Sequence, residues 1–186
     1  MSALDIQATG FPGLYLIDSN AHHDERGTFQ RLYCSEELAR AGVSKPMVQA
    51  SRSLTSTRGT VRGLHFQFPP CAEAKLVTCL RGEIFDVAVD LRRGSPTFLH
   101  WHAQILSAKN NRSLLVPEGF AHGFQTLADD CEVLYLITEP HDPAAAGIVH
   151  VREPRIGIAW QLPVDHLSPR DAAAGWLGDT FEGLAL

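Results

Sequence analysis

Basic residues are in the minority in this chain. Sixteen Lys and Arg stand against 21 Asp and Glu, for a net charge of −5. That balance excludes a general nucleic-acid surface and leaves room only for a local basic pocket. No apolar run is long enough to cross a bilayer, so no membrane partner is expected. Met1–Gly10 has neither a basic stretch nor a long apolar core, so no secretory signal is expected there. Cysteine is sparse too. Cys34, Cys71, Cys79 and Cys131 form no CxxC pair and are expected to be free thiols in a reducing, cytoplasmic compartment. No internal repeat or linker interrupts the chain.

What is present is enough for one folded domain. A length of 186 residues with 45% hydrophobic side chains predicts a single unit over 1–186 with a real core, and it excludes disorder. Short apolar runs punctuated by turns recur along the chain, the pattern of an all-β protein. Strands are expected at Leu14–Ile17, Gly27–Tyr33, Val48–Leu54, Gly59–Gln67, Lys75–Leu80, Ile84–Leu91, Thr97–Leu106, Ser113–Val116 and Cys131–Thr138. Arg81-Gly82-Glu83 reads as a hairpin turn. Ser35–Ala41 is the best helix, with Ser35 as N-cap and Glu36 and Glu37 in the first turn. From Pro140 onward the chain is rich in Pro, Ala and Asp, and should wrap the strands in loops and short helices. Many strands with little helix predict a sandwich or jelly roll.

Two segments carry candidate chemistry. In Arg62-Gly63-Leu64-His65-Phe66-Gln67 a histidine sits on a strand three residues after an arginine, and Lys75 follows the Pro69-Pro70 turn. One base with two nearby cations suits proton abstraction from an anionic substrate. Pro117-Glu118-Gly119-Phe120-Ala121-His122 is a turn that delivers a histidine onto the next strand, and it resembles the second motif of cupins, which are jelly-roll barrels. A metal site would also want a His-x-His pair and an earlier carboxylate. Gln67 stands where the second histidine would follow His65. His100-Trp101-His102 has the spacing, but no acidic residue follows closely. No metal is therefore expected.

Taken in order, further segments join these two: Asp24–Phe29, Lys75-Leu76-Val77, Phe85-Asp86-Val87, Asp90-Leu91-Arg92, Ser95–Phe98, Val116–Phe124 and Leu167–Asp171. From about Asp24 to Asp171 the chain resembles the dTDP-4-dehydrorhamnose 3,5-epimerases of L-rhamnose biosynthesis. The resemblance implies a cupin-like jelly-roll barrel with a few short helices, working as a homodimer on a nucleotide-linked 4-keto-6-deoxy sugar. Protons beside the ketone, at C3 and C5, leave from one face and return on the other. No redox change occurs and no cofactor is implied.

The resemblance also implies roles. His65 matches the general base and Asp171 the carboxylate paired with it, with Asp86 a rival carboxylate near the same pocket. Lys75 matches the cation beside the C4 oxygen, and Tyr135 the acid of the opposite face. Arg26 and Arg62 match contacts to the diphosphate and sugar, Phe29 and Gln49 pocket positions, and His122 a substrate-binding histidine. His141 stands where many relatives have a second pocket tyrosine. That departure keeps a 3-epimerase of a related dTDP-4-keto-6-deoxy sugar as an alternative. A metal-dependent cupin using His122 with His100 or His102 is another, and a non-catalytic sugar-nucleotide binder a third.

Overall fold

The computed structural model describes residues 3–43 and 45–186. Among these the chain runs through β1 (Leu4–Ala8), β2 (Tyr15–Ser19), β3 (His22–Asp24), β4 (Gly27–Phe29), helix α1 (Ser35–Ala39), β5 (Gln49–Thr55) and β6 (Val61–Gln67). It continues through β7 (Lys75–Arg81), β8 (Glu83–Asp90), β9 (Trp101–Ser107), β10 (Arg112–Val116), β11 (Phe120–Thr126), β12 (Cys131–Ile137), β13 (Ala146–Ile148) and helix α2 (Pro169–Ala172). The strands form a six-stranded sheet in the order β1-β2-β10-β7-β12-β5, a five-stranded sheet in the order β13-β6-β11-β8-β9, and a separate β3-β4 ribbon. All pairs in the named strands are antiparallel. Except between β8 and β9, each strand from β5 to β13 lies in the other sheet from the one before it, which is the jelly-roll pattern expected from the sequence.

That alternation corrects the reading of Arg81-Gly82-Glu83 as a hairpin. β7 pairs with β10 and β12, whereas β8 pairs with β9 and β11. Gly82 is therefore a corner between sheets. It has φ +77°, and a Cβ there would lie 2.6 Å from Cys131 Sγ, so the corner accepts only glycine.

Strand β8 explains its own irregular sequence. Its residues from Ile84 to Asp90 are all buried. Ile84 and Ala88 enter the core between the sheets, while Phe85, Val87 and Val89 enter a second core on the outer face. The chain after β13 covers that outer face with Val149, Val151, Ile156 and Trp160. A strand buried on both faces has no reason to alternate polar and apolar residues. On the other side of the molecule Leu38 of α1 packs with Leu4, Ile17, Leu76 and Leu115 against the outer face of the six-stranded sheet.

Local details differ from expectation in three places. The N-cap of α1 is Cys34 and makes no side-chain cap bond, so Ser35 is already inside the helix. The strand expected over Gly27–Tyr33 stops at Phe29. The strand expected from Thr97 begins at Trp101, because Ser95 and Thr97 turn their hydroxyls onto Asp90 Oδ2 at 2.5 and 2.7 Å. Asp90 also accepts from Arg92, through its backbone N–H and its guanidinium. The Asp90-Leu91-Arg92 and Ser95-Pro96-Thr97 segments thus latch a loop around one buried carboxylate.

Candidate active site

Between the two sheets lies a cavity of about 640 Å³, within the size range of small-molecule sites. Arg62 and His65 enter it from β6, His122 and Phe124 from β11, Lys75 from β7, Tyr135 and Ile137 from β12, and Asp171 from α2. β6 and β11 belong to the five-stranded sheet, β7 and β12 to the six-stranded one. His65 and Tyr135 therefore stand on opposite walls. Residues separated by 70 positions converge because the inward-facing side chains of two facing sheets share one interior.

The β6 wall is set by a close backbone approach. His65 and His122 are register partners, and the register shifts between His122 and Phe124. A Cβ on Gly63 would lie 2.7 Å from Gly123 Cα, and one on Gly123 would lie 2.6 Å from Arg62 O. Only glycine at both positions lets the strands meet this closely beside the histidines.

Each histidine is tied to its own carboxylate. His65 Nε2 lies 2.7 Å from Asp171 Oδ1, and the Gly63 N–H donates to Asp171 Oδ2 at 3.4 Å. Ser168 caps α2 by accepting from the Asp171 N–H at 3.0 Å, which fixes the carboxylate's approach. Burial alone would raise the Asp171 pKa. The His65 hydrogen bond and charge, with the Gly63 and Ser168 bonds, outweigh it and hold the carboxyl below the ordinary range. An ionised Asp171 places the His65 proton on Nε2 and leaves the Nδ1 lone pair for a substrate proton. The rival carboxylate, Asp86, is engaged elsewhere: its Oδ1 lies 2.8 Å from His122 Nε2.

On the facing wall the Tyr135 hydroxyl lies 3.3 Å from Ser53 Oγ on β5. Burial pushes its pKa well up, with the Asp86 charge adding to the effect and the Ser53 bond opposing it. The phenol is therefore a neutral proton donor at neutral pH. Its ring meets His122 edge-on at 6.2 Å. Lys75 Nζ pairs with Glu73 Oε1 at 2.5 Å, both side chains only 9% exposed, and reaches the His65 carbonyl at 3.5 Å. Arg62 is anchored to β5 through Thr55 Oγ1 at 2.9 Å and the Leu54 carbonyl at 3.3 Å.

Four other residues expected at the site lie outside the cavity lining. Arg26 pairs with Asp24 at 2.6 Å on the exposed β3-β4 ribbon, and Phe29 on the same ribbon is 76% exposed. Gln49 Oε1 accepts from the backbone N–H of the exposed His141 at 3.0 Å, joining the start of β5 to the loop after β12. Sequence reading missed Ser53, Asp165, His166 and Arg170, which also line the cavity. Arg170 adjoins Asp171 and Ser53 shares a strand face with Gln49, two signals that were available. The Thr60–His166 bridge that brings in the loop before α2 left no trace in the pattern of residues. Among the described residues no group of three His, Cys, Asp or Glu is arranged to hold a metal ion.

The family model of dTDP-4-dehydrorhamnose 3,5-epimerase matches residues 8–179. The chain belongs to the dTDP-4-dehydrorhamnose 3,5-epimerase family. It is 44% identical over 172 residues to the dTDP-4-dehydrorhamnose 3,5-epimerase of Salmonella typhimurium, covering 89% of this chain and 91% of that one. It is 38% identical to a dTDP-4-dehydrorhamnose 3-epimerase of Streptomyces niveus, covering 91% and 82%. The crystal structure of a dTDP-6-deoxy-D-glucose-3,5-epimerase from Legionella pneumophila in complex with dTDP-4-keto-L-rhamnose superposes with a TM-score of 0.89 at 38% identity, over 93% of this chain and 92% of that one. A sequence reading that rested on motif order thus extends, in this epimerase family, across nearly the whole chain.

Proposed function

We propose that this epimerase-family protein acts on a dTDP-linked 4-keto-6-deoxy sugar and inverts C3 and C5. The observation that carries the reading is the placement of His65 and Tyr135 on opposite walls of one cavity. A carbon beside a ketone inverts when a base removes its proton from one face and an acid returns a proton to the other. The intermediate enolate is flat, so base and acid must face each other across it. His65 is the base, held as the Nε2–H tautomer by Asp171. Tyr135 is the acid. Lys75 stabilises the charge that develops on the C4 oxygen, where a fixed cation in a dry site lowers the barrier most. Arg62 takes an anionic or sugar oxygen at the mouth, and His122 a sugar hydroxyl. The net reaction moves no electrons between substrate and protein, so it calls for no cofactor.

Homodimerisation is part of this reading. β5 is an edge of the six-stranded sheet and carries exposed Leu54, with Val48 exposed just before it. An edge of this kind favours pairing across a two-fold axis. The exposed ribbon bearing Arg26 and Phe29 is absent from the lining of its own chain's cavity, and we assign those two residues, with Gln49 and His141, to the substrate site completed in the dimer. The whole of 1–186 serves as one catalytic domain, in the cytoplasm, where thiols such as Cys71 stay reduced.

The test is proton NMR of the enzyme with dTDP-4-keto-6-deoxyglucose in deuterated water. Deuterium entering at both C3 and C5 is the expected result, lost in His65→Ala. Exchange at C3 alone would move the protein to the 3-epimerases, the activity named for the Streptomyces niveus relative. Exchange at neither carbon would overturn the assignment.

A further inference from the structure

Two buried side-chain atoms among the described residues have no hydrogen-bonding partner in the protein: Asp86 Oδ2 and His102 Nε2. They are neighbours. Asp86 on β8 is the register partner of Gln104 on β9, and Ala88 that of His102. Asp86 and His102 are thus diagonal neighbours on one face, the face that carries Ile84 and Ala88 into the inner core. Diagonal neighbours on antiparallel strands are within reach of each other when the side chains are long. Phe11 closes the space beside His102, its ring edge-on at 5.8 Å. The Asp86 charge acts on His102, although burial, the larger influence, lowers the His102 pKa. A buried carboxylate oxygen and a buried imidazole nitrogen left unpaired each forfeit the hydrogen bond they make in water.

We propose that one buried water molecule bridges Asp86 Oδ2 and His102 Nε2, and that through it His102 is a positioning residue for the cavity histidine, His122. The chemistry fits in either tautomer of His102. When Nε2 is the acceptor, the water gives one O–H to it and the other to Asp86. When Nε2 carries hydrogen, it donates to the water, which still donates to Asp86. Either way Asp86 gains a donor on Oδ2, while its Oδ1 accepts from His122 Nε2–H at 2.8 Å. His122 is then held with its Nδ1 as an acceptor. The chain His102–water–Asp86–His122 so carries order from β9 to the cavity wall, where the sugar-hydroxyl role of His122 rests on the proposed function. The Asp86 charge acts on Cys79 and Tyr135 as well as on His102.

The test needs no substrate, so it stands or falls apart from the activity. Nitrogen-15 NMR of the imidazole rings is recorded for the wild type, His102→Phe and His102→Gln, with a high-resolution crystal structure of the wild type. The expected result is a water within hydrogen-bonding distance of both atoms, a single Nε2–H tautomer for His122, loss of that single tautomer in His102→Phe, and its recovery in His102→Gln. An apolar or direct Asp86–His102 contact in the crystal would overturn the proposal. So would a His122 spectrum that does not change in His102→Phe while the variant remains folded. A spectrum equally disturbed in His102→Gln and His102→Phe would also overturn it, because that marks general packing damage.

Discussion

His65 and His122 stand opposite each other on β6 and β11, and each gives its Nε2 to a different carboxylate, Asp171 at 2.7 Å and Asp86 at 2.8 Å. The two couples are not equivalent. The His65 side chain is 41% exposed and opens on the cavity, whereas that of His122 is 5% exposed. Asp171 comes from a loop-borne helix and Asp86 from a strand fixed on both faces. The first couple can be reached from the cavity through its histidine, and the second is buried on both partners.

Asp171→Asn therefore separates the two carboxylates. An amide in place of Asp171 no longer selects the Nε2–H tautomer of His65 or stabilises the imidazolium, so kcat should fall by roughly 10⁴-fold, the size of the loss when the aspartate of a serine-protease triad becomes asparagine. Circular dichroism should show an intact fold. Steady-state turnover of the keto sugar measures the effect. A loss of less than ten-fold would return Asp86 to consideration as the partner of the base.

Tyr135→Phe tests the division of labour across the cavity. The variant keeps His65, Asp171 and Lys75, so a proton can still leave the substrate. With no phenol on the facing wall, the enolate must be reprotonated from the His65 side, which restores the starting configuration. Deuterium should enter the recovered substrate while inverted product falls by about 10²-fold or more. Undiminished inversion would remove Tyr135 from the mechanism.

The base we propose was legible because His65 sits in a short, dense segment, Arg62 to Gln67. The proposed acid, Tyr135, came only from the family resemblance, since Val133, Leu134 and Leu136 around it read as an ordinary apolar strand. Strand positions such as β7 and β12 were legible because each is a short apolar run bounded by turns. What was not legible was which sheet each strand joins. Gly82 reads as a hairpin turn because local turn chemistry is the same for a hairpin and for a corner between sheets. The partner of His65 had two candidates, Asp86 and Asp171, 21 and 106 positions away, and only the fold separates them. His102 read as half of a metal pair because spacing reports which face a residue shares, and not what stands across from it.

Lys75→Met addresses the oxyanion. Loss of the cation should lower kcat by about 10²–10³-fold, as for removal of a preorganised donor. It also strands Glu73, whose carboxylate is 9% exposed, so the variant should lose about 3–5 kcal/mol of stability, the cost of breaking a buried pair. Adding Glu73→Gln should recover much of the stability and none of the rate. Urea titration and turnover, run on both variants, distinguish the two effects. Recovery of both by the double variant would mean that Lys75 serves folding alone.

Acid should unfold the protein through Asp90 and Asp171. Burial would raise each pKa, but the Arg92, Ser95 and Thr97 bonds at Asp90 and the His65, Gly63 and Ser168 bonds at Asp171 prevail and lower both below the ordinary 3.8. A carboxyl with a lowered folded-state pKa adds stability at every pH above its unfolded value. That stability is lost as pH falls, because the unfolded chain takes up the proton first. Urea midpoints should therefore be insensitive to these two groups from neutral pH down to about 5, and should drop steeply below about 4. Asp90→Asn removes one of the two, and with it the latch over residues 92–97. Its midpoint should be lower at neutral pH and its decline in acid shallower than that of the wild type. Parallel curves would mean that the Asp90 network contributes no ionic stabilisation, and that the acid limb belongs to other carboxylates.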